Sequence, residues 1–453
     1  MKKYRFLSLL LLIPMVLSLF FLPGAALEEL DLQCRNAVLL DANFKEVLYD
    51  KGANEKAYPA SITKVMTALL VMEALESGQL TPDTIVTAGD TAYQSLTGNF
   101  STANIKVGEA MSVKELLYCL LLPSANEAAN ILAAAVDGSI EDFVAHMNLK
   151  AGELGCQGTH FTNPHGLHND DHYTTAYDIS LYMAAALEYD LFREIIATPS
   201  HTVPATNSSA ERYFFNTNAL ISNLYYAGYT YDKCIGGKTG NTDEAGRCLV
   251  SAAEDGDTLL ISVVLGSGPI QVPGASELKQ GQFIESKKLL KYGFSNFERV
   301  TITKGSEPVD KVTVTLSRQA DEVNVKPQGS ITRTLPKDLD LDLIETEITL
   351  FSPEVEAPVH EGQVLGTMKL SYQGEVYGTL DLVAVNSVER SELLYKKAQF
   401  LSFFHHSGVQ IVLIAVLLLS VLVLLKLLVF RKRRYYRGGK GTRSRGNYRG
   451  TRK

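Results

Sequence analysis

Cysteine is scarce in this 453-residue chain, and its placement follows no pattern. The five cysteines (Cys34, Cys119, Cys156, Cys234 and Cys248) form no CxxC pair and no zinc-ligand spacing, which excludes a zinc-stapled or thioredoxin-like module. An odd count outside the cell leaves at least one thiol unpaired. Cys119 sits in an apolar helical stretch and reads as a buried small hydrophobe. Cys234 and Cys248 fall on predicted neighbouring strands, but spacing alone assigns no disulfide. No internal repeat is present, and no low-complexity tract lies outside the two ends. His160, His165, His168 and His172 cluster in one loop, yet no HExxH occurs, so no metal is expected there. His165 is expected to shape a loop instead.

Acid is absent from the C-terminal tail. From Arg431 to Lys453 there are 11 Lys and Arg and no Asp or Glu. Directly before it, Val409 to Phe430 is an apolar run broken only by Gln410, Ser420 and Lys426, long enough to cross the hydrocarbon core. Lys426 lies near the inner end, where its amine reaches the interface. A basic flank after a span marks the cytoplasmic side. Stop-transfer charge and anionic-lipid contact therefore explain the tail better than a nucleic-acid patch does. At the other end, Lys2, Lys3 and Arg5 precede an apolar run from Phe6 to Leu22 and then Pro23-Gly24-Ala25-Ala26, which reads as a secretory signal peptide. The region between these ends holds 28 basic against 50 acidic residues, about −22, which argues against nucleic acid as a partner.

The chain is too long for one compact domain. Asn36 to Tyr49 predicts a strand hairpin turning around Asp41-Ala42-Asn43. A helix is predicted from Ser61 through Leu75, with Ile62, Val65, Met66, Leu69, Leu70 and Met72 at helical spacing. Ser112-Val113-Lys114-Glu115 reads as a capping box opening a second helix to Pro123. A third helix follows Ser124-Ala125-Asn126, and another covers Tyr177 to Leu187. Strands are predicted at 234–239, 247–253 and 258–265, then a helix at 285–292. The order implies an α+β domain whose antiparallel sheet joins the two ends of the segment. Alternating residues in the following stretch predict a small all-β domain. The expected organisation is a signal peptide at 1–26, a catalytic domain at 27–297 and a β-rich domain at 298–389. An amphipathic juxtamembrane segment at 390–408, a span at 409–430 and a basic tail at 431–453 follow.

Ser61-Ile62-Thr63-Lys64 places a hydroxyl and an amine three residues apart, on one face of a helix start. Serine is a poor nucleophile until a base takes its proton. Burial and a neighbouring cation lower a lysine pKa enough to make it that base. Alone the pattern carries little weight, since Ser-x-x-Lys turns up about once by chance in such a chain. Two further segments accompany it. Ser124-Ala125-Asn126 sets a hydroxyl and an amide between two helices. Lys238-Thr239-Gly240 lies on a predicted strand after Gly236-Gly237, glycines that permit close approach of another chain such as a substrate backbone. The three triplets in this order, each in its element, form a specific signal.

With these motifs the chain resembles the low-molecular-weight penicillin-binding proteins, the serine-type D-alanyl-D-alanine carboxypeptidases. The stretches 59–64, 121–126, 161–167, 236–242 and 285–290 carry the likeness. It is strong from Ala37 to Phe297 and looser in the β region. The resemblance implies a β-lactamase/transpeptidase-like catalytic domain, no cofactor, a peptidoglycan stem peptide as substrate and β-lactams as covalent inhibitors. It implies Ser61 as nucleophile, Lys64 as general base and Ser124 as proton relay. Asn126, Lys238, Thr239, Gly240 and Asn241 would bind substrate, with the backbone N–H groups of Ser61 and Asn241 holding the oxyanion. The family often carries a cation in the loop after the strand ending near Leu265; here that loop reads Gly266-Ser267-Gly268-Pro269-Ile270. Carboxylate binding is then expected to lean on Lys238 and Thr239. A β-lactamase would share the three motifs, but no Glu-x-x-Leu-Asn segment lies between Asn126 and Lys238. A non-catalytic scaffold would not need Ser61, Lys64, Ser124, Asn126 and Lys238 all intact.

Overall fold

The computed structural model describes residues 30–436, with side chains to 430. The signal-peptide reading and most of the basic tail lie outside the described residues. The chain divides into two compact units, one of residues up to Thr301 together with Thr332–Leu341, the other of Ile302–Ile331 and the residues from Asp342 onward.

The first unit is built on a five-stranded antiparallel sheet. Its strands are β1 (Asn36–Asp41), β2 (Glu46–Lys51), β3 (Cys234–Thr242), β4 (Gly246–Asp255) and β5 (Thr258–Ser267), in the order β2-β1-β5-β4-β3. Strand β1 pairs with β5, Asn36 opposite Leu265, so the sheet joins the two ends of the unit as the sequence predicts. Every residue of β1 is buried. Val38 and Leu40 enter one apolar cluster, and Ala37 and Leu39 enter the other, because a strand sends alternate side chains to opposite faces. Helices therefore cover both faces. Six lie between the hairpin and β3: α1 (Lys64–Glu76), α2 (Val113–Leu121), α3 (Asn126–Asp137), α4 (Ile140–Glu153), α5 (Ala176–Ala186) and α6 (Asp190–Ala197). Helix α7 (Gly281–Asn296) supplies Phe283, Leu289 and Leu290 to the second cluster. Helix α1 is buried almost all round, which makes it the axis of the helical layer. Each Leu, Val or Met it buries contributes about 1.5–3 kcal/mol.

Three local expectations need correction. The predicted helix from Ser61 begins instead as a 3-10 turn over Ala60–Thr63, and α1 starts at Lys64. The predicted capping box forms by half. Ser112 accepts the Glu115 N–H at 3.3 Å, but the Glu115 carboxylate meets His201 Nε2 at 2.8 Å, an ion-pairing partner that competes for it. Helices α4 and α6 were not predicted. The five thiols are free; Cys34, Cys119 and Cys248 are buried and the other two half-buried. Cys234 and Cys248 do lie on paired strands, but they face Ala253 and Gly240, not each other. Burial pushes the thiols of Cys34 and Cys156 up to about 12, and those of Cys234 and Cys248 up to about 11. Cys119, at the centre of α2, is raised as well.

The second unit carries a six-stranded sheet. Its strands are β6 (Asp310–Thr315), β7 (Glu322–Pro327), β8 (Glu345–Leu350), β9 (Glu354–Glu356), β10 (Val364–Tyr372) and β11 (Glu375–Ala384), in the order β8-β10-β11-β7-β6-β9. Val312 and Val314, then Val323 and Val325, point inward, and their alternate neighbours are exposed. Helix α8 (Glu392–His405) has an exposed apolar set of Leu393, Phe400, Leu401 and Phe403. Helix α9 (Ser407–Tyr436) follows, and its Ser407–Phe430 portion is long and apolar enough to cross a membrane.

Candidate active site

Ser61 occupies the 3-10 turn, where residues i and i+3 eclipse, so Lys64 stands directly over it. Lys64 Nζ lies 3.0 Å from Ser61 Oγ. The same nitrogen lies 2.7 Å from Asn126 Oδ1 and 2.6 Å from the His165 carbonyl. Both of those atoms only accept hydrogen bonds. A neutral amine has two N–H bonds and one lone pair. In the neutral form its two hydrogens serve Asn126 and His165, which leaves the lone pair for the Ser61 hydroxyl. Lys64 is completely buried. Burial first, and the charge of Lys238 second, hold its pKa well below the usual lysine range; Glu127 opposes this.

Strand β3 brings the second lysine. Lys238 is also buried and donates to the Thr239 carbonyl at 2.9 Å. Burial lowers it to about 7. The Thr239 hydroxyl lies 2.6 Å from that of Thr217. Gly240 explains how β3 reaches the nucleophile: a Cβ there would stand 2.8 Å from the Pro59 carbonyl and 3.1 Å from Ala60 Cβ. The glycine is a contact between strand and turn as well as a wall of the cleft. Gly236 and Gly237 correct an expectation. A Cβ at these positions would meet the Ile196 carbonyl at 2.6 Å and the Val250 carbonyl at 2.0 Å, so they make room for the protein's own backbone rather than for a substrate.

Ser124 sits between α2 and α3 in a left-handed conformation, φ 68°, rare for a residue with a side chain. Its buried hydroxyl has no hydrogen-bond partner among the described residues. The structure thus brings Ser124 to the cleft but does not link it to Ser61, Lys64 or Lys238 by a hydrogen bond. Asn126, the first residue of α3, is anchored by its backbone N–H to the Ser101 carbonyl at 2.9 Å.

Several supporting residues escaped the sequence reading. His172 Nδ1 accepts the Thr162 N–H at 3.0 Å, so its Nε2 carries the proton and donates to Thr63 Oγ1 at 2.8 Å. Burial lowers His172 to about 3, which keeps it neutral while it ties the nucleophile turn to the loop holding His165. Buried Glu127 accepts from Thr102 Oγ1 and the Ala103 N–H, both at 2.7 Å, and so fixes the loop that carries Ser101. Neither residue belongs to a triplet motif, and a lone histidine or glutamate gives no sequence signal. His165 does shape the loop: its carbonyl takes Lys64, and its Nδ1 accepts the Leu167 N–H at 3.1 Å. His160 and His168 turn to the Asp171 carbonyl and to the Asp170 carboxylate.

Ser61 stands where two cavities meet. The larger, about 700 Å³, is lined by Asn126, His165, Asp243 and Glu244 among others. The smaller, about 320 Å³, is lined by Ser124, Thr217, Thr239, Gly240 and Arg247. Ser61, Ser101 and Asn241 border both.

A serine hydroxyl facing the lone pair of a buried lysine, with a second lysine behind it, defines a serine acyl-transfer enzyme. Comparison with known proteins makes the class specific. Residues 24–268 match the D-alanyl-D-alanine carboxypeptidase family (peptidase S11), and residues 297–390 match the penicillin-binding protein 5 C-terminal domain. The chain belongs to the D-alanyl-D-alanine carboxypeptidase family. It is 33% identical over 380 residues to the D-alanyl-D-alanine carboxypeptidase DacF of Bacillus subtilis, covering 84% of this chain and 90% of that one. It is 31% identical over 398 residues to DacC of Escherichia coli, covering 85% and 92%. Among solved structures, penicillin-binding protein 5 from Haemophilus influenzae superposes with a TM-score of 0.63 at 27% identity, covering 81% of this chain and all of that one.

Proposed function

We infer that this chain is a serine-type D-alanyl-D-alanine carboxypeptidase that removes the terminal D-alanine from peptidoglycan pentapeptide stems through an acyl-enzyme on Ser61. The observation that carries the reading is the buried Lys64 amine, 3.0 Å from Ser61 Oγ and within hydrogen-bond distance of two further acceptors, Asn126 Oδ1 and the His165 carbonyl. Lys64 takes the hydroxyl proton as Ser61 Oγ bonds to the carbonyl carbon of the penultimate D-alanine. The backbone N–H groups of Ser61 and Asn241 hold the oxyanion. Ser124, whose hydroxyl is uncommitted, gives its proton to the leaving nitrogen and is reprotonated by the one Lys64 took; the C–N bond breaks and D-alanine departs with Lys64 neutral again. Water then attacks the ester and frees Ser61. Asn126 orients Lys64 and the substrate backbone. Lys238 supplies positive charge behind the base, and Thr239 offers its hydroxyl to the terminal carboxylate. A β-lactam enters the same path and remains on Ser61.

The domain reading assigns 27–297 to catalysis, 298–389 to a β-rich spacer or binding module, 390–408 to the membrane surface and 409–430 to the span. The catalytic unit then works on the outer face, and the basic tail lies in the cytoplasm. The test is labelling of full-length protein in membranes with a fluorescent penicillin. Wild type labels and Ser61→Ala does not; equal labelling of both sinks the nucleophile assignment. Release of D-alanine from a pentapeptide stem separates this activity from that of a β-lactamase.

A further inference from the structure

The two cavities meeting at Ser61 differ in charge. Among the described residues, the charged side chains lining the larger one are Asp243 and Glu244, both exposed. The smaller one has a single charged lining residue, Arg247. Arg247 pairs with Asn241 across the β3–β4 hairpin, so the turn at 243–245 places it beside the strand that carries Thr239 and Gly240. It is half-buried, and its guanidinium has no hydrogen-bond or ion-pair partner among the described residues. The half-buried Arg193, Arg212 and Arg333, by contrast, each have a carboxylate partner.

We propose that Arg247 is the residue that receives the terminal carboxylate of the scissile D-alanine. This rests on the Ser61 reading above. The leaving residue carries a carboxylate, and a guanidinium is permanently charged with a planar fork that fits it. The other candidates are compromised. Lys238 is fully enclosed and already donates to the Thr239 carbonyl. The segment after β5, residues 268–280, has one cation, Lys279, which does not line the smaller cavity, and the neutral Ser267 at the end of β5 gives its hydroxyl to Glu285 at 2.5 Å. The volume also fits, since about 320 Å³ accommodates one small residue, whereas about 700 Å³ suits the longer acyl side of the stem. The acidic rim at Asp243 and Glu244 sets the same orientation, because the third stem residue carries a free amine. Arg247 is a specificity-determining residue, reading which end of the peptide lies over Ser61.

The test measures second-order acylation rates of the full-length protein in detergent with benzylpenicillin and with its methyl ester. The acid carries the carboxylate that stands in for that of D-alanine, and the ester lacks the charge. Arg247→Gln is expected to lower the acid-to-ester rate ratio by about 10–100-fold, as loss of a charge-assisted pair does. Arg247→Lys restores part of it. A folded Arg247→Gln protein, with unchanged melting temperature, that keeps the wild-type ratio overturns the assignment, as does an equal slowing of both reagents. Absence of acylation in the wild type overturns the Ser61 reading and this assignment with it.

Discussion

The two units of the chain bury different kinds of side chain. The first encloses Lys64, Lys238, Glu127, Asp178, His165 and His172. In the second, Ser317 is the one buried polar side chain among the described residues, and the charges stand outside. Burying a charge is costly unless it is paired, so the enclosed groups mark where stability has been given up for chemistry. The β-rich unit follows the plain rule of apolar inside and polar outside. The same sequence thus contains one unit that encloses ionisable groups and one that does not, and each difference between them is open to measurement.

The largest effect is expected at the base. Lys64→Ala should slow acylation by a penicillin about 10²–10⁴-fold, the usual contribution of a general base. The matching change in the second unit removes Lys369 from its exposed pair with Glu347. Lys369→Ala should leave acylation unchanged and alter stability by less than about 1 kcal/mol. A comparable rate loss in both proteins, read by stopped-flow labelling, would erase the contrast.

Two glycines sharpen it further. Gly166 and Gly374 have the same φ of +86°. A Cβ at Gly166 would stand 1.9 Å from the Ala60 carbonyl beside the nucleophile, whereas at Gly374 nothing lies within 4 Å. Gly374→Ala should then cost only the local left-handed strain, about 1–2 kcal/mol. Gly166→Ala should cost clearly more in urea unfolding and also abolish labelling. Equal costs would show that conformation, and not crowding, governs both sites.

A smaller loss is expected at His172. Replacing it with Phe strands the Thr162 N–H and removes the bond that Thr63 Oγ1 accepts, at about 1–3 kcal/mol. A thermal scan should show the drop, and an unchanged melting temperature would mean the ring is not a tie.

The smallest is a gain. Lys238 titrates at about 7 in the fold against an ordinary 10.5. The unfolded chain therefore binds this proton at pH values where the folded chain does not. The penalty on folding is complete below pH 7 and fades as pH rises toward 10.5. Lys238→Met should raise the melting temperature by on the order of a few degrees at pH 6–7, with the gain shrinking at alkaline pH, while acylation falls. A gain that grows with pH would reverse the argument.

How much of this was legible in the sequence differs with the kind of feature. Ser61, Lys64, Ser124, Asn126, Lys238 and Thr239 stand in short triplets, and the structure draws them around one cleft. The hairpin at Asn36 and the strands from Cys234 to Ser267 were read from local alternation and β-branched content. The 3-10 start at Ser61 was not, because a tight turn and a helix present the same i, i+3 spacing. Helices α4 and α6 were missed although their buried residues, Ile140, Phe143, Met147 and Ala151 in one and Phe192, Ile195 and Ile196 in the other, are apolar and stand at helical spacing. Thr217, Glu127 and His172 work through partners remote in sequence. Arg247 belongs to no motif, and only the strand register that sets it opposite Asn241 brings it to the cleft.

The free thiols have a consequence for biogenesis. With the four half-buried or buried cysteines at 34, 156, 234 and 248 raised to about 11–12, thiolate is rare at neutral pH. Exchange with oxidants begins from thiolate, so it is slow here. Once folded, the protein should therefore take up a thiol-reactive probe slowly at neutral pH, and denaturation should restore ordinary thiol reactivity.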